Sequence, residues 1–362
     1  MMLPKICGGF LNVTQKCNLA CKYCFVKQKP MEMDFKTAKD AVDFYARNSL
    51  DEVTVPMVTF FGGEPMLRYE DIVKPIVEYV RETYGDYSLS ITTNGTLLDE
   101  EKLRFFKDHG VDILLSIDGD KPTQDLLRTK HDGSGSFDEI PIDLYLKYYP
   151  QGTFRATLDP RNVREMYDNY LFAEGKGYKS VTMIPNVFEA WSAEDYEAME
   201  RGVDQIMEHI ADAKASGKPF AEFSEVRKGN SCGGDIRDSL RDQPACGTCG
   251  LGAIRYGSIG ASGDIYSCQE MTENADCADF KIGNIYTGVD DTRREAIISR
   301  FHVDRVRCES DGRCEGCKAR HVCGGGCTIN NYFKTGSLET VPEAYCRWME
   351  AMVKANERMV KE

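Results

Sequence analysis

The densest group of reactive side chains lies near the start of the chain, where Cys17, Cys21 and Cys24 fall within eight residues. As thiolates, three such side chains can wrap one face of an iron–sulfur cluster. Structural zinc and iron sites usually take four protein ligands, so a set of three cysteines leaves one iron open for another molecule. The alternative is a zinc site completed by a distant residue such as Cys7. The spacing therefore predicts either an open cluster or a closed zinc site.

The C-terminal third of the chain carries a second, larger group of cysteines. Eleven of the fifteen lie from Cys232 to Cys346, and none lies between Cys24 and Cys232. Pairs spaced C-x2-C, such as Cys314 and Cys317, occur in zinc ribbons as well as in cluster sites. The uneven distribution predicts two modules, each built around metal, and zinc ribbons are the alternative for the second.

Composition limits where the protein works and what it binds. No apolar run approaches the roughly 20 residues that span a bilayer, and the N-terminus lacks the pattern of a signal peptide. We therefore expect a cytoplasmic protein that binds no membrane. Thiols stay reduced in the cytosol, so metal explains the cysteines better than disulfides do. The net charge of −13 disfavours nucleic acid as a partner and would suit a peptide that carries Lys or Arg.

Alternating strands and helices must position these groups. Strand–helix alternation implies a parallel sheet covered by helices, in which functional loops follow the C-terminal ends of the strands. In the first predicted helix, apolar residues recur at helical spacing and give the helix one apolar face: Phe35, Ala38, Ala41, Val42 and Tyr45. The six predicted strands are Phe10–Thr14, Val55–Phe61, Tyr87–Thr93, Val111–Ile117, Thr153–Leu158 and Ser180–Pro185.

Six such repeats favour an α/β fold with a partial (β/α)6, TIM-like barrel, and a doubly wound sheet is the alternative. We predict a barrel domain over residues 1–216 and a C-terminal module over 246–362 that ends in a helix from about Pro342. Residues 217–245 between them have mixed polarity, several glycines and no sustained period. This composition predicts a linker or bridge.

Short motifs lie where the predicted strands end. Gly62–Pro65, with the sequence Gly-Gly-Glu-Pro, follows the second strand. Its glycines let the backbone approach a ligand closely, and Glu64 supplies a hydrogen-bond acceptor. Asn94 with its following glycine ends the third strand, and Asp118 with its following glycine ends the fourth. Such pairs are common in ordinary turns, but their order after successive strands favours one shared site.

Together these features resemble the radical S-adenosylmethionine (SAM) superfamily, because a C-x3-C-x2-C loop with an aromatic residue, Tyr23, before its last cysteine follows the first strand. The resemblance implies that the three cysteines bind a [4Fe–4S] cluster whose open iron takes SAM. An electron from that cluster would cleave SAM to methionine and a 5′-deoxyadenosyl radical. The resemblance assigns the SAM amino group to the Gly-Gly-Glu-Pro segment, the ribose or reacting centre to Ser116 and Asp118, and the carboxylate to Arg155. The implied SAM-contacting residues are Gly62, Gly63, Glu64, Pro65, Asn94, Ser116, Asp118, Arg155 and Ile184.

The C-terminal cysteine series resembles the SPASM domain, an extension of radical SAM enzymes that modify peptides and proteins. The resemblance implies two auxiliary [4Fe–4S] clusters, which makes three in all. The first would be bound by Cys249, Cys268 and Cys327, with Cys246, Cys232 or an open position as the fourth ligand. The second would be bound by Cys314, Cys317, Cys323 and Cys346. The cysteines left without a cluster role would be Cys7, Cys277, Cys308 and either Cys232 or Cys246.

The stretch Cys323–Tyr332, together with the downstream Cys346, resembles maturases of ribosomally made peptides. This implies an oxidoreductase that abstracts hydrogen from a residue of a Cys-containing precursor peptide and installs a crosslink, first of all a thioether. An external donor of the flavodoxin or ferredoxin type would supply electrons. Many such maturases begin with a domain that binds the leader peptide, for which the position of Cys17 leaves no room. We therefore expect direct leader binding or a separate leader-binding protein.

Two other functions stay open at this point. Anaerobic sulfatase maturases oxidise Cys or Ser to formylglycine and carry an Asp base directly after the second SPASM cysteine. Here Gln269 follows Cys268, and an amide cannot accept the proton, although Glu270 is one residue further on. The other alternative is a non-enzymatic iron–sulfur electron carrier, against which the ordered strand-end motifs count because a carrier needs no SAM pocket. The sequence does not identify the acid–base residue.

Overall fold

A computed structural model describes residues 3–52, 55–223, 255–300, 312–321, 323 and 325–359. The chain forms two compact units, each assembled from separate stretches. The first unit comprises residues 1–20, 24–114 and 247–302, and the second comprises residues 21–23, 115–246 and 303–362. The predicted domain boundaries at 216 and 246 stay a prediction. Most of the predicted linker, from residue 224 to residue 245, lies outside the described residues.

An eight-stranded sheet organises the first unit, in the order β11-β10-β9-β8-β1-β2-β3-β4. Strands β8, β1, β2 and β3 run parallel, whereas β8 to β11 form an antiparallel meander. The strands are β1 (Gly8–Thr14), β2 (Met57–Gly62), β3 (Ser88–Thr93), β4 (Val111–Leu115), β8 (Tyr256–Ile259), β9 (Asp264–Tyr266), β10 (Lys281–Asn284) and β11 (Gly288–Val289). The helices are α1 (Phe35–Glu52), α2 (Lys74–Thr83), α3 (Glu100–Asp108) and α8 (Asp291–Arg300).

The core of the first unit lies between this sheet and its helices. Leu11 and Val13 of β1 are completely buried, as expected for a central strand of a parallel sheet. Helix α1 packs with Ala38, Ala41, Val42 and Tyr45 buried, which confirms four of the five residues predicted for its apolar face. Phe35 is 41% exposed, so its inclusion in that face was wrong. It is the first residue of α1, one turn before the buried Ala38.

The second unit contains a three-stranded sheet in the order β5-β6-β7, with all strands parallel. Helices α7 and α10 pack on each other, and the edge of Phe223 in β7 meets the buried Trp348 in α10 at 6.0 Å between ring centroids. The strands are β5 (Thr153–Leu158), β6 (Ser180–Pro185) and β7 (Glu222–Phe223). The helices are α4 (Lys121–Leu127), α5 (Ile142–Tyr148), α6 (Met166–Lys176), α7 (Ala193–Ser216), α9 (Thr328–Thr335) and α10 (Glu343–Met359).

Local sequence explains where these helices begin and end. Ser192 caps α7 by accepting from the backbone N–H of Asp195, whose carboxylate accepts in return from the backbone of Ser192. Gly217 ends α7 with φ of +66°, a left-handed conformation that favours glycine. None of the helices among the described residues combines the length and apolar composition needed to cross a membrane.

The predicted α/β fold is confirmed. All six predicted strands are present, and those at Thr153–Leu158 and Ser180–Pro185 have the predicted bounds. In the second unit, Ser116 forms a parallel bridge with Arg155 of β5. The C-terminal ends of the strands carry the motifs singled out from the sequence.

Candidate active site

The cysteine loop begins where β1 ends. Gln15 donates its backbone N–H to the carbonyl of Met31, and Thr14 bridges to Glu32, so the loop leaves β1 and returns beside it. Cys17 and Cys21 are partly buried and Cys24 is exposed. The structure thus presents all three predicted cluster ligands on one loop that follows a buried parallel strand.

Two N–H donors point at the sulfur of Cys17. The backbone N–H of Leu19 lies 3.4 Å from its Sγ, and the Asn94 side-chain amide lies 3.8 Å from it. Hydrogen bonds to a cluster thiolate stabilise its negative charge and tune the reduction potential. This arrangement fits a thiolate at Cys17. Asn94, predicted to contact SAM, lies against the cysteine loop, where its amide also donates to Asn18.

The Gly-Gly-Glu-Pro segment packs on the residues that immediately precede Cys17. Gly63 donates its N–H to the Thr14 carbonyl at 2.8 Å, and Glu64 donates its N–H to the Lys16 carbonyl at 2.9 Å. A Cβ on Gly63 would lie 2.2 Å from the Lys16 oxygen, which no side chain could tolerate. The glycines therefore permit close approach of two backbones, which fixes the start of the cysteine loop.

The Glu64 carboxylate is buried and joins the ends of β2 and β3. Its Oε1 accepts from the Met66 N–H at 3.0 Å and the Thr93 hydroxyl at 2.8 Å. Its Oε2 accepts from the Asn94 N–H at 2.7 Å. Glu64 was predicted to contact SAM. In the structure its carboxylate also acts as a clamp, because its hydrogen bonds hold the ends of β2 and β3 together. Pro65 begins a short 3-10 helix that Glu64 caps.

Asp118 of the second unit is buried in a network of its own. Its carboxylate accepts from the Tyr23 hydroxyl at 2.5 Å, from the Arg128 guanidinium at 3.0 and 3.2 Å, and from the Thr157 N–H at 2.9 Å. Burial first of all raises the pKa of Tyr23 well above its ordinary value; Arg128 opposes this, and Asp118 adds to it. Sequence reasoning missed Arg128, which follows α4 without any motif to mark it.

The remaining predicted SAM contacts also lie in the second unit. Ser116, Arg155 and Ile184 are partly exposed, on or just after β4, β5 and β6. Arg155 donates from its guanidinium to the Ala156 carbonyl at 2.8 Å, and Ile184 pairs in register with Thr157. Their exposure leaves them accessible to a ligand, unlike Asp118.

Four C-terminal cysteines lie near one another in the second unit. Burial raises the pKa of the Cys346 thiol to about 12, Arg313 opposes the shift, and Cys323, Cys314 and Cys317 raise it further. These are the four residues predicted to bind the second auxiliary cluster. Cys327 immediately precedes α9 and is partly buried. Cys246 and Cys249, predicted for the first auxiliary cluster, lie outside the described residues, as do Cys232 and Cys308.

Thiolates are the ligands that iron–sulfur clusters take, so both cysteine groups fit the implied cofactor by donor chemistry. Within the described ranges, no three His, Cys, Asp or Glu side chains are arranged to hold a single metal ion. Convergence on one ion is not what a cluster requires, because each cysteine of a [4Fe–4S] cluster binds a different iron.

Cys268 of the first unit is buried and donates to the side-chain oxygen of Gln269 at 3.3 Å. The next residue, Glu270, lines a small pocket with Asn12, Gln15 and Phe25. Burial raises the pKa of Glu270 to about 7, and its Oε2 accepts no hydrogen bond from the described residues. The pocket thus holds a carboxyl group with access to both protonation states near neutral pH.

The sequence of this chain is similar to a known protein family and to several known proteins. Residues 11–159 match the Radical SAM superfamily. An uncharacterized protein of Methanocaldococcus jannaschii is 33% identical over 49% of this chain and 67% of its own length. A serine-type anaerobic sulfatase-maturating enzyme of Bacteroides thetaiotaomicron is 23% identical over 91% of this chain and 84% of its own.

Solved structures share the fold. Native anSMEcpe with bound AdoMet and Cp18Cys peptide superposes with a TM-score of 0.74 at 19% identity, covering 97% of this chain and 99% of its own. SuiB of Streptococcus suis bound to precursor peptide SuiA gives a TM-score of 0.57 at 16% identity, covering 95% and 76%. At these identities the likeness is one of fold, and it agrees with the predicted partial barrel.

The matched residues 11–159 contain the cysteine loop, the Gly-Gly-Glu-Pro segment and the motifs that end β3 and β4. A non-enzymatic electron carrier is thereby set aside in favour of an enzyme of radical chemistry. The chain belongs to the radical SAM superfamily.

Proposed function

We propose that this enzyme is a peptide maturase that abstracts hydrogen from a residue of a ribosomally made peptide and installs a crosslink, a Cys thioether. The observation that carries the proposal is the pair Cys268–Gln269. The Gln269 amide oxygen accepts a hydrogen bond from the Cys268 thiol at 3.3 Å. An amide cannot act as a general base, because it does not take up a proton near neutral pH. A reaction that depends on a carboxylate at this position is therefore disfavoured.

The chain supplies ligands for each cofactor of this reaction. When bound, the cluster at Cys17, Cys21 and Cys24 supplies the electron that cleaves SAM, and the auxiliary clusters accept the electron that oxidation of the peptide releases. Cys314, Cys317, Cys323 and Cys346 would hold one auxiliary cluster. Cys249, Cys268 and Cys327 would hold the other, with Cys246, Cys232 or an open position as its fourth ligand. SAM would be held by the ends of β2 to β6, with Ser116, Arg155 and Ile184 the accessible side chains.

The proposed reaction balances with these components. A carbon–hydrogen bond of the peptide loses its hydrogen atom to the 5′-deoxyadenosyl radical, and the Cys thiol loses a proton to a base. The carbon–sulfur bond then forms, and one electron is left over for an auxiliary cluster. The peptide therefore loses two hydrogen atoms in all, and one SAM is consumed for each crosslink.

A peptide substrate is supported by the neighbours, since SuiB and anSMEcpe both carry peptides in their structures. The net charge of −13 adds to this, because an acidic protein attracts Lys- and Arg-bearing peptides. SAM cleavage itself would not require either peptide, so substrate choice and radical generation are separable experimentally.

Glu270 favours a second candidate, formylglycine formation on a protein Cys or Ser. Its carboxyl group lies in a pocket, and burial brings its pKa to about 7, where a general base works best. A base one residue further from Cys268 than the sulfatase maturases place theirs would then take the proton. Similarity over 91% of the chain to a sulfatase-maturating enzyme points the same way.

The first experiment tests cofactors and SAM cleavage. Anaerobic reconstitution should give about 12 iron atoms per chain, as expected for three [4Fe–4S] clusters. A value of about 4 iron atoms per chain would contradict the two auxiliary clusters. SAM with dithionite should yield 5′-deoxyadenosine. Cys21→Ser should abolish this product, whereas Cys277→Ser, which changes a cysteine with no assigned cluster, should not. If the wild-type protein forms no 5′-deoxyadenosine, the proposed cleavage of SAM is contradicted.

The second experiment separates the two products by mass spectrometry. Short Cys-containing peptides encoded beside the gene, and a sulfatase-type Cys peptide, are incubated with the reconstituted enzyme. A thioether appears as the loss of two hydrogen atoms with a thiol that no longer alkylates. Formylglycine appears as an aldehyde that reacts with a hydrazide probe. An aldehyde from the sulfatase peptide, abolished by Glu270→Gln, would replace the thioether proposal with the second candidate.

A further inference from the structure

The Tyr23–Asp118–Arg128 network connects the middle of the cysteine loop to α4 and β5 within the second unit. Arg128 and Asp118 are almost completely shielded from solvent, with side-chain exposures of 10% and 0%. The Arg128 guanidinium also lies over the Tyr23 ring, 5.3 Å from its centroid. Burying such a charge pair carries a desolvation penalty that can exceed the attraction between the charges, so the pair is weak evidence for stability.

Asp118 has no hydrogen-bonding capacity left for a ligand. An ionised carboxylate offers about four lone-pair positions. Tyr23 and Arg128 occupy those of Oδ2, while Arg128 and Thr157 occupy those of Oδ1. A ribose hydroxyl could bind Asp118 only by displacing one of these donors. The carboxylate therefore acts on its protein neighbours.

Those neighbours include the middle of the cysteine loop. Lys22 donates its backbone N–H to the Leu127 carbonyl at 2.9 Å, and Tyr23 donates its hydroxyl to Asp118. The segment between Cys21 and Cys24 is therefore tied to the end of α4 by its backbone and to Asp118 by a side chain. Burial opposes the charge of Arg128, but Asp118, Tyr23 and Cys21 together raise its pKa. The residue after Cys21 is hydrogen-bonded to the residue before Arg128, and Arg128 lies over the ring of Tyr23, so its positive charge is close to Cys21.

We propose that Arg128 and Asp118 are positioning residues for Cys21 and that their opposite charges set the reduction potential of the cluster which this cysteine would bind. Reduction adds one negative charge to a cluster. A buried positive charge nearby favours the reduced state, and a buried negative charge opposes it. This inference rests on membership of the radical SAM superfamily and not on the identity of the peptide or of its product.

Two single variants have opposite expected effects. Arg128→Met removes the positive charge at nearly constant length, and Asp118→Asn removes the negative charge at constant shape. The potential is measured by EPR-monitored redox titration of the signal that changes when SAM is added, which selects this cluster over the others. At a fixed potential, Arg128→Met should lower the ratio of reduced to oxidised cluster about tenfold, or about 59 mV for one electron. Asp118→Asn should raise the ratio by a similar factor.

Further variants separate charge from position. Arg128→Lys keeps the charge but loses the fork that holds Asp118, so its potential should stay within about twofold of wild type while iron is lost faster to a chelator. The Asp118→Asn/Arg128→Met double variant leaves no buried unpaired charge and should fold even where a single variant does not. Its potential should also return to near that of wild type. Lys176→Met, which removes a charge from a solvent-exposed pair, is the matched control and should change neither property.

Opposite shifts from the two single variants, cancelled in the double variant, would support the proposal. Shifts of the same sign, or both below twofold, would overturn the electrostatic part. Iron retention in the double variant equal to that of wild type would overturn the positioning part. None of these measurements needs a peptide, so a wrong assignment of the crosslinking reaction would leave their outcome unchanged.

Discussion

Replacing Glu64 tests whether the Gly-Gly-Glu-Pro motif acts through its side chain on the protein itself. The buried carboxylate accepts three hydrogen bonds from protein donors, two of them backbone N–H groups at the ends of β2 and β3. Glu64→Ala leaves all three donors without their acceptor. At about 1–3 kcal/mol for each unsatisfied buried group, and with water able to reach some of them, the free energy of unfolding should fall by about 3–6 kcal/mol.

The assay is urea denaturation of the cluster-free protein followed by far-UV circular dichroism, which needs neither iron nor SAM. Glu64→Gln keeps one acceptor oxygen and turns its amide group toward a donor, so its loss should be intermediate. Glu82→Ala is the matched control, since this exposed glutamate in α2 should change stability by no more than about 0.5 kcal/mol.

The opposing hypothesis gives a different result. Suppose that the Glu64 carboxylate serves mainly to bind the SAM amino group. The free energy of unfolding of Glu64→Ala would then stay within about 1 kcal/mol of the wild-type value, and the reconstituted variant would lose SAM affinity. That combination would refute the clamp. Loss of stability in the cluster-free protein can arise only from contacts that the chain makes with itself.

Three other substitutions, each followed by urea denaturation, test packing and ionisation elsewhere in the chain. Gly63→Ala would put a Cβ 2.2 Å from the Lys16 carbonyl and should cost about 3 kcal/mol or more, whereas Gly175→Ala, with open space inside α6, should gain about 0.5–1 kcal/mol. Trp348→Ala removes the largest fully buried side chain and should cost about 3–5 kcal/mol, with a loss below 1 kcal/mol contradicting its place in the core. Glu270 has a pKa raised by burial from 4.5 to about 7, so its contribution to stability is present below pH 4.5 and is lost as the pH rises through 7. Glu270→Gln should remove that loss of up to about 3 kcal/mol. A variant that keeps the wild-type pH dependence of the urea midpoint would contradict the assignment.

The strands and the cysteine loop could be predicted from the sequence because their signals are local. The segment Thr153–Leu158 alternates and the segment Ser180–Pro185 is apolar, so each identifies a strand within six residues. The cysteine spacing lies within a single loop. Phe35 fits the helical period equally well but is exposed, because period alone does not show where along a helix the core begins.

Long-range partners could not be predicted in this way. The Gln15 amide donates to the Thr272 carbonyl 257 residues away, and the Asn12 amide donates to Ser258. Arg128 reaches Tyr23 across 105 residues with no motif around it. Such contacts depend on how strands are ordered in space. Strands β1 and β8 become neighbours only once the sheet has formed.

Both carboxylates that the sequence motifs single out have their oxygens engaged by the protein. Glu64 fixes the start of the cysteine loop through β2 and β3, and Asp118 fixes its middle through α4 and Arg128. A cluster with only three protein ligands has one fewer anchor than a closed site, so its loop needs other restraints to hold three sulfurs at fixed positions. The buried carboxylates that follow β2 and β4 provide such restraints from within the protein. The two sequence motifs therefore hold the cysteine loop through hydrogen bonds within the protein: Glu64 donates its N–H to the Lys16 carbonyl, and Asp118 accepts from the Tyr23 hydroxyl.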